Sequence, residues 1–221
     1  MCIRDRLITD GVPSGVAFIS VQVEGDNTIV VSPGANNLLT TGDIAGAPVI
    51  AEAGVVLVQS EIPMEAIVEV SRVASGLLIW NSAPAPTDGV PPELMESVDV
   101  LVVNQSELAS LVGHDGHVDA AIAERLVAAL FFTSVVVTLG SEGALVVTEG
   151  KVVRVSAPLV RPVDTTAAGD AFCGALADRL VEGDDLVTAV GWANRVGAAT
   201  TLMAGAQPSL PTTSQVEERL K

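Results

Sequence analysis

The sequence predicts an α/β fold built on a mostly parallel central sheet. From about residue 55 onward, short apolar runs alternate with amphipathic segments, and this order is typical of βαβ units with right-handed crossovers. Neither a linker nor a repeat of fixed period divides the 221 residues, and 49% of them are hydrophobic. We therefore expect a single globular domain with a sizeable core.

The elements follow one another in a regular order. Residues 1–6 match nothing that follows, and we expect them to be a non-native leader. A hairpin is predicted over 15–31, with a turn at 24–27 and a loop at 33–37 after it. Further strands are predicted at 55–58, 77–80, 98–103 and 134–138, with a second hairpin formed by 144–147 and 152–155. Helices are predicted at 63–74, 106–112, 117–130, 169–181, 185–203 and 212–220.

The composition excludes several classes of function. A formal net charge of -16 and an aromatic content of 3% argue against nucleic-acid binding, which needs basic patches and stacking surfaces. The apolar stretches are interrupted before they reach about 18 residues, so we expect no membrane span. The start of the chain does not resemble a signal peptide. Two cysteines, Cys2 and Cys173, form neither a disulfide framework nor a metal cluster, and they favour a cytoplasmic location.

Three polar motifs lie at the start of a predicted helix or at the end of a predicted strand, where ligand-binding residues are expected. In residues 164–170, two carboxylates bracket small residues at the start of a helix, where free N–H groups make an anion site with Asp170 at its edge. Asn104 and Glu107 follow a strand, as does the glycine loop 138–143. Each has a structural alternative: Asp170 as a helix cap, Asn104 with Glu107 as a capping box, and the glycine loop as a plain turn.

These motifs resemble those of the ribokinase family, the phosphofructokinase-B-type sugar kinases. The string 164–170 is similar to the family signature, Asn104 and Glu107 to its Asn-x-x-Glu motif, and 138–143 to its nucleotide loop. The resemblance extends from about residue 13 to the end. It implies a ribokinase-like three-layer fold in which about 13–36 form a small β lid hairpin and about 37–221 form the nucleotide-binding core. The lid would cover the sugar and form a homodimer contact.

The resemblance also implies roles for single residues. Asp170 would be the base that deprotonates the sugar hydroxyl, with an anion hole formed by the N–H groups of Ala167, Ala168 and Gly169. Glu107 would belong to a network that organises Mg²⁺ and the phosphates. The nucleotide would contact Asn104, Thr138, Gly140, Ser141, Glu142, Gly143, Gly169 and Asn194. Glu61 would touch the sugar, although a solvated loop acid remains the alternative there, as a solvated helix residue does for Asn194.

A monovalent cation, K⁺, would lie beside the anion hole. Its ligands would be Asp164, Ser209 and Gly205, with the carbonyl groups of Thr166, Thr200 and Met203. Carboxylate and carbonyl oxygens suit a hard cation of this kind.

The implied activity is ATP-dependent phosphorylation of D-ribose at its 5-hydroxyl, a step in D-ribose catabolism. The Ala167-Ala168 pair and the loop 33–36 favour ribose. The alternatives are another sugar or nucleoside kinase of the family, such as a fructokinase or a deoxyribokinase, and a non-catalytic nucleotide-binding fragment. The family's N-terminal sugar motifs do not occur in this sequence, so we expect a chain that keeps the nucleotide half and the base but binds sugar weakly.

Overall fold

The computed structural model describes residues 7–21 and 27–221, so the predicted leader and the centre of the predicted hairpin turn lie outside the described residues. Strands β1 (Val16–Val21) and β2 (Asn27–Ser32) pair antiparallel with Val16 opposite Ser32, and they form a two-stranded sheet of their own. This confirms the predicted hairpin. A short 3₁₀ helix, Gly34–Leu38, follows it.

The second sheet has six strands in the order of the sequence. They are β3 (Val55–Gln59), β4 (Leu77–Asn81), β5 (Val100–Asn104), β6 (Ser134–Thr138), β7 (Ala144–Thr148) and β8 (Lys151–Val155). Strands β3 to β6 are parallel, whereas β7 and β8 add to the sheet as an antiparallel hairpin. The mainly parallel sheet and each of its predicted strands are confirmed.

Nine α-helices lie in the described part of the chain. They are α1 (Thr41–Ala45), α2 (Pro48–Glu52), α3 (Met64–Val73), α4 (Pro92–Ser97), α5 (Gln105–Val112), α6 (Ala120–Leu126), α7 (Ala168–Val181), α8 (Leu186–Thr200) and α9 (Thr213–Arg219). Helix α6 begins three residues later than predicted because the carboxylate of Asp119 accepts from the N–H of Ile122 and caps it. A 3₁₀ turn, Val127–Ala129, completes that predicted helix.

Helices cover both faces of the six-stranded sheet. Successive strand residues point to opposite faces, so Leu78 and Trp80 pack in one core cluster while Ile79 packs in the other. The first cluster includes buried residues of α3, α4, α5 and α6, and the second includes those of α7 and α8. The result is the predicted three-layer arrangement, in which α7 and α8 share one face. Among the described residues no helix is both long and apolar enough to cross a membrane.

Candidate active site

The four parallel strands end in polar residues at the same edge of the sheet. Gln59, Asn81, Asn104 and Thr138 are the last residues of β3, β4, β5 and β6. Gln59 lies opposite Asn81, and Asn104 lies opposite Thr138. Ligands of open α/β sheets bind beyond the carboxyl ends of the strands. The sequence motifs included Asn104 and Thr138, whereas Gln59 and Asn81 were missed, although a polar residue ending an apolar strand could have identified them.

Helix α7 begins at this edge, after a residue in an unusual backbone conformation. Ala167 has φ 62°, in the left-handed region, and it directs the chain into the helix. The N–H of Ala168 donates to the carbonyl of Thr165 at 3.2 Å, so one of the three predicted anion-hole donors is already engaged. Asp170 lies in the first turn, is exposed and accepts a hydrogen bond from Gln59.

A cleft of about 250 Å³ lies beside the start of α7. It brings together six of the predicted nucleotide residues, Thr138, Gly140, Ser141, Gly143, Gly169 and Asn194. It also includes Ala168 of the predicted anion hole. The rest of its wall was not predicted from the sequence and consists mainly of apolar residues: Ala157, Pro158, Val160, Pro162, Thr165, Phe172, Gly197, Ala198 and Thr201. The arrangement suits a flat apolar ring whose polar substituents extend towards α7.

The glycine loop after β6 has a fixed shape because of Gly143. This residue has φ 97°, and a Cβ atom there would overlap the carbonyl oxygen of Val155. Its own carbonyl accepts from the N–H of Leu139 at 2.8 Å. The loop therefore packs directly on the end of β8. Glu142 does not line the cleft; its exposed carboxylate pairs with Arg154 at 2.8 Å.

Asn194 is buried rather than solvated. Only 6% of the residue is exposed, and its Nδ2 donates to the carbonyl of Val155 at 2.9 Å. The same carbonyl thus lies against Gly143 and anchors Asn194, so the glycine loop, β8 and α8 meet at one point of the cleft wall. The solvated alternative for Asn194 is wrong.

Asn104 and Glu107 form the capping box that the sequence allowed. The N–H of Asn104 donates to Glu107 Oε2 and the N–H of Glu107 donates to Asn104 Oδ1, both at 2.8 Å. Burial raises the pKa of Glu107, and the hydrogen bond from Asn104 opposes this. The thiol of Cys173, on the buried side of α7, has its pKa raised to about 12 by burial and by the charges of Asp170 and Glu107.

The predicted cation ligands lie in two loops that Asp164 joins. Its Oδ1 accepts from the N–H of Thr166 at 2.9 Å and its Oδ2 from the N–H of Gly205 at 2.8 Å. The hydrogen bonds from Gly205 and Thr166 lower the pKa of Asp164. Each oxygen keeps a lone pair for a cation.

The backbone around Asp164 offers further oxygens. Within the described chain, the carbonyl groups of Thr166, Met203 and Gly205 accept no backbone hydrogen bond, whereas that of Thr200 accepts from Met203 N at 3.3 Å. Ser209 is buried and donates to the carbonyl of Ala206 at 2.7 Å, which leaves its oxygen free to bind a cation.

Glu61 was predicted to contact the sugar and not the nucleotide, and this role stays a prediction. It lies just beyond β3, is exposed and does not line the cleft. The neighbouring Gln59, rather than Glu61, reaches Asp170.

Comparisons with known proteins agree with this architecture. Residues 4–213 match the family model described as pfkB family carbohydrate kinase. The chain is 34% identical to ribokinase of Staphylococcus aureus strain COL over 215 residues, which cover 93% of this chain and 69% of that protein. It is 36% identical to ribokinase of Bacillus subtilis strain 168 over 211 residues, covering 94% of this chain and 69% of the relative.

Solved structures have the same fold. The structure of Arabidopsis thaliana ribokinase complexed with ribose and ATP superposes with a TM-score of 0.81 at 30% identity, covering 96% of this chain and 70% of that one. The three-layer packing, the polar strand ends and the cleft at the start of α7 agree with the expected fold. The sequence matches and the structural matches point to the same family. This chain belongs to the pfkB family of carbohydrate kinases.

Proposed function

We propose that the chain catalyses the ATP-dependent phosphorylation of D-ribose at its 5-hydroxyl. The observation that carries the proposal is the position of Asp170 in the first turn of α7, next to a cleft that Gly169 and the glycine loop line. Family membership supports a carbohydrate kinase, and the Arabidopsis ribokinase complexed with ribose and ATP supports the substrate pair.

In this proposal the adenine base occupies the apolar part of the cleft. Pro158, Val160 and Asn194, the last on α8, are among the residues that line the cleft. The phosphates extend towards the start of α7, where the free N–H groups of Ala167 and Gly169 and the helix dipole favour negative charge.

Asp170 then accepts the proton of the sugar hydroxyl as that oxygen attacks the γ-phosphorus atom. The bond from this atom to the β,γ-bridging oxygen breaks and ADP leaves.

Two metal ions belong to the proposal. When bound, Mg²⁺ neutralises phosphate charge, and Glu107 with Asn104 would help to orient it. Among the described residues there is no cluster of three acid, His or Cys side chains suited to a metal, so the ion would take most of its ligands from phosphate and water. The loop oxygens around Asp164 suit K⁺, which would fix the shape of the anion hole.

We also propose a homodimer formed through the β1–β2 hairpin, in a cytoplasmic protein. The hairpin exposes four apolar side chains, Val16, Phe18, Val30 and Val31, with exposed fractions between 46% and 67%. A surface of this kind is typical of an interface. Sedimentation of the purified chain tests the dimer, since a monomer at micromolar concentration would contradict it.

The test of the activity is ADP release with a panel of sugars, each raised to saturation because the sequence predicts weak sugar binding. D-ribose should be preferred over fructose and deoxyribose, and the Asp170→Asn variant should lose about 10²–10⁴ in kcat with little change in ATP affinity. Asp178→Asn, two turns further along α7, is the matched control and should retain activity. An unchanged kcat in Asp170→Asn would refute the assignment, and ATP binding without turnover would favour the non-catalytic alternative.

A further inference from the structure

Asp170 is attached to the sheet through a chain of side-chain amides. Gln59 Nε2 donates to Asp170 Oδ1 at 3.0 Å and to Asn81 Oδ1 at 3.1 Å. Asn81 Nδ2 in turn donates to the carbonyl oxygen of Val102 at 3.2 Å. Three neighbouring strands, β3, β4 and β5, therefore connect to the first turn of α7 across their carboxyl ends.

The backbone carbonyl at the buried end of this series of amides fixes the direction of every hydrogen bond in the series. The Val102 carbonyl can only accept, so Asn81 must direct its NH₂ group there and its Oδ1 towards Gln59. Gln59 must then present its own NH₂ group, because the reversed amide would bring two oxygens together. Both amide protons are used, one on Asn81 and one on Asp170.

The consequence for Asp170 is a fixed carboxylate with one oxygen occupied. Asp170 is exposed, and Gln59 is the one side chain in the described part of the chain that hydrogen-bonds to it. The hydrogen bond limits rotation of the carboxylate, and misplacement of a reacting group by about 1 Å can cost about 10²-fold in rate.

We infer that Gln59 is a positioning residue for the phosphoryl-transfer reaction: its amide, oriented by Asn81, holds Asp170 Oδ1 and leaves Oδ2 to accept the substrate proton. This inference rests on the proposed function, in which Asp170 is the base. Gln59 does not line the nucleotide cleft, so its contribution concerns the base and not the binding of ATP.

The kinetic test compares Gln59→Met, which keeps the length of the side chain but has no amide, with Gln59→Glu, which keeps its shape but places a second carboxylate beside Asp170. Gln59→Met should lower kcat about 10-fold to 100-fold with an unchanged KM for ATP, because the base is less well placed while the nucleotide cleft is unchanged. Gln59→Glu should lower kcat at least as far, because a carboxylate cannot donate to Asp170 and repels it.

The control is Gln215→Met, which also removes an amide hydrogen bond, but in the capping box of α9. It should leave kcat and the KM for ATP unchanged. A wild-type kcat in Gln59→Met would overturn the inference, as would an equal effect of Gln215→Met.

A spectroscopic test does not depend on turnover. The side-chain ¹⁵N–¹H signals of Gln59, assigned by their loss in Gln59→Met, should shift in Asp170→Asn and stay in place in Asp178→Asn. If the signals of Gln59 do not shift in Asp170→Asn, the inference fails. If Asp170→Asn leaves kcat unchanged, the proposed function fails. If Asp170→Asn abolishes turnover while Gln59→Met does not lower it, only the role of Gln59 is wrong.

Discussion

At the scale of single residues, Asp164 joins two loops through its carboxylate. Both of its oxygens accept backbone N–H groups, and these bonds hold its pKa below the ordinary value of 3.8. A lowered pKa in the folded state means that the carboxylate stabilises the fold above pH 3.8 and that this contribution is lost as the pH falls through the folded value.

We therefore expect Asp164→Asn to unfold at a lower temperature than the wild type at neutral pH. The difference in Tm should be greatest at neutral pH and should shrink as the pH falls below 3.8, because protonation removes the charge in the wild type as well. Circular dichroism melts between pH 7 and pH 3 measure it. A Tm difference that is constant over this range would contradict the role of the charge.

The residues of the site differ in how far the sequence predicts them. Asp170, Gly169 and Thr138 occur in local motifs, and a motif of consecutive residues carries its own geometry. Gln59 and Asp170 are 111 positions apart, so only the sheet order and the placement of α7 bring them together. Asn194 was predicted only through the family resemblance, since its partner is the carbonyl of Val155 on another element.

At the scale of elements, the glycine loop after β6 depends on direct backbone contact. A Cβ atom on Gly143 would overlap the end of β8, where Val155 also anchors Asn194 of α8. Gly150, in the turn between β7 and β8, has φ 70° and open space around its Cα. The two glycines share a positive φ and differ in what surrounds them.

We expect Gly150→Ala to lower the free energy of unfolding by about 1–2 kcal/mol, which is the cost of a left-handed alanine. Gly143→Ala should lower it by about 2–4 kcal/mol, since overlap with β8 adds to the backbone strain of an alanine at φ 97°. It should also weaken ATP binding, because the displaced segment forms the cleft wall. Chemical denaturation and ATP titration measure both effects. Equal losses of stability in the two variants would contradict the contact.

The sequence predicts the elements of this fold unevenly, and their length explains why. The buried strands and the long helices α7 and α8 carry a repeating apolar pattern, so their positions follow from it. Helices α1, α2 and α4 have only five or six residues and depend on local caps and prolines. The segment 157–162, which forms a wall of the cleft, has no regular secondary structure, and its sequence carries no repeating apolar pattern.

At the scale of the whole molecule, salt should affect stability in two separate ways, through the net charge of -16 and through the proposed K⁺ site in the loops around Asp164. Like charges over the surface repel one another, so any salt should stabilise the fold by screening. A specific cation would stabilise it further by binding only the folded state. The two effects separate when K⁺ is compared with choline, which screens equally but is too large for a site formed by loop oxygens.

We expect choline chloride to raise Tm, and KCl at the same concentration to raise it more. A site with a Kd of about one fifth of the K⁺ concentration adds about 1 kcal/mol, which corresponds to about 2–4 °C for a chain of this size. Asp164→Asn should remove the excess due to K⁺ and keep the screening effect.

Asp185→Asn is the matched control for this experiment, because it removes the same charge from a carboxylate that also accepts backbone N–H groups, at the start of α8. It should keep the excess due to K⁺. If KCl and choline chloride raise the wild-type Tm equally, the loops around Asp164 bind no K⁺, and the hydrogen bonds of Asp164 alone hold them together.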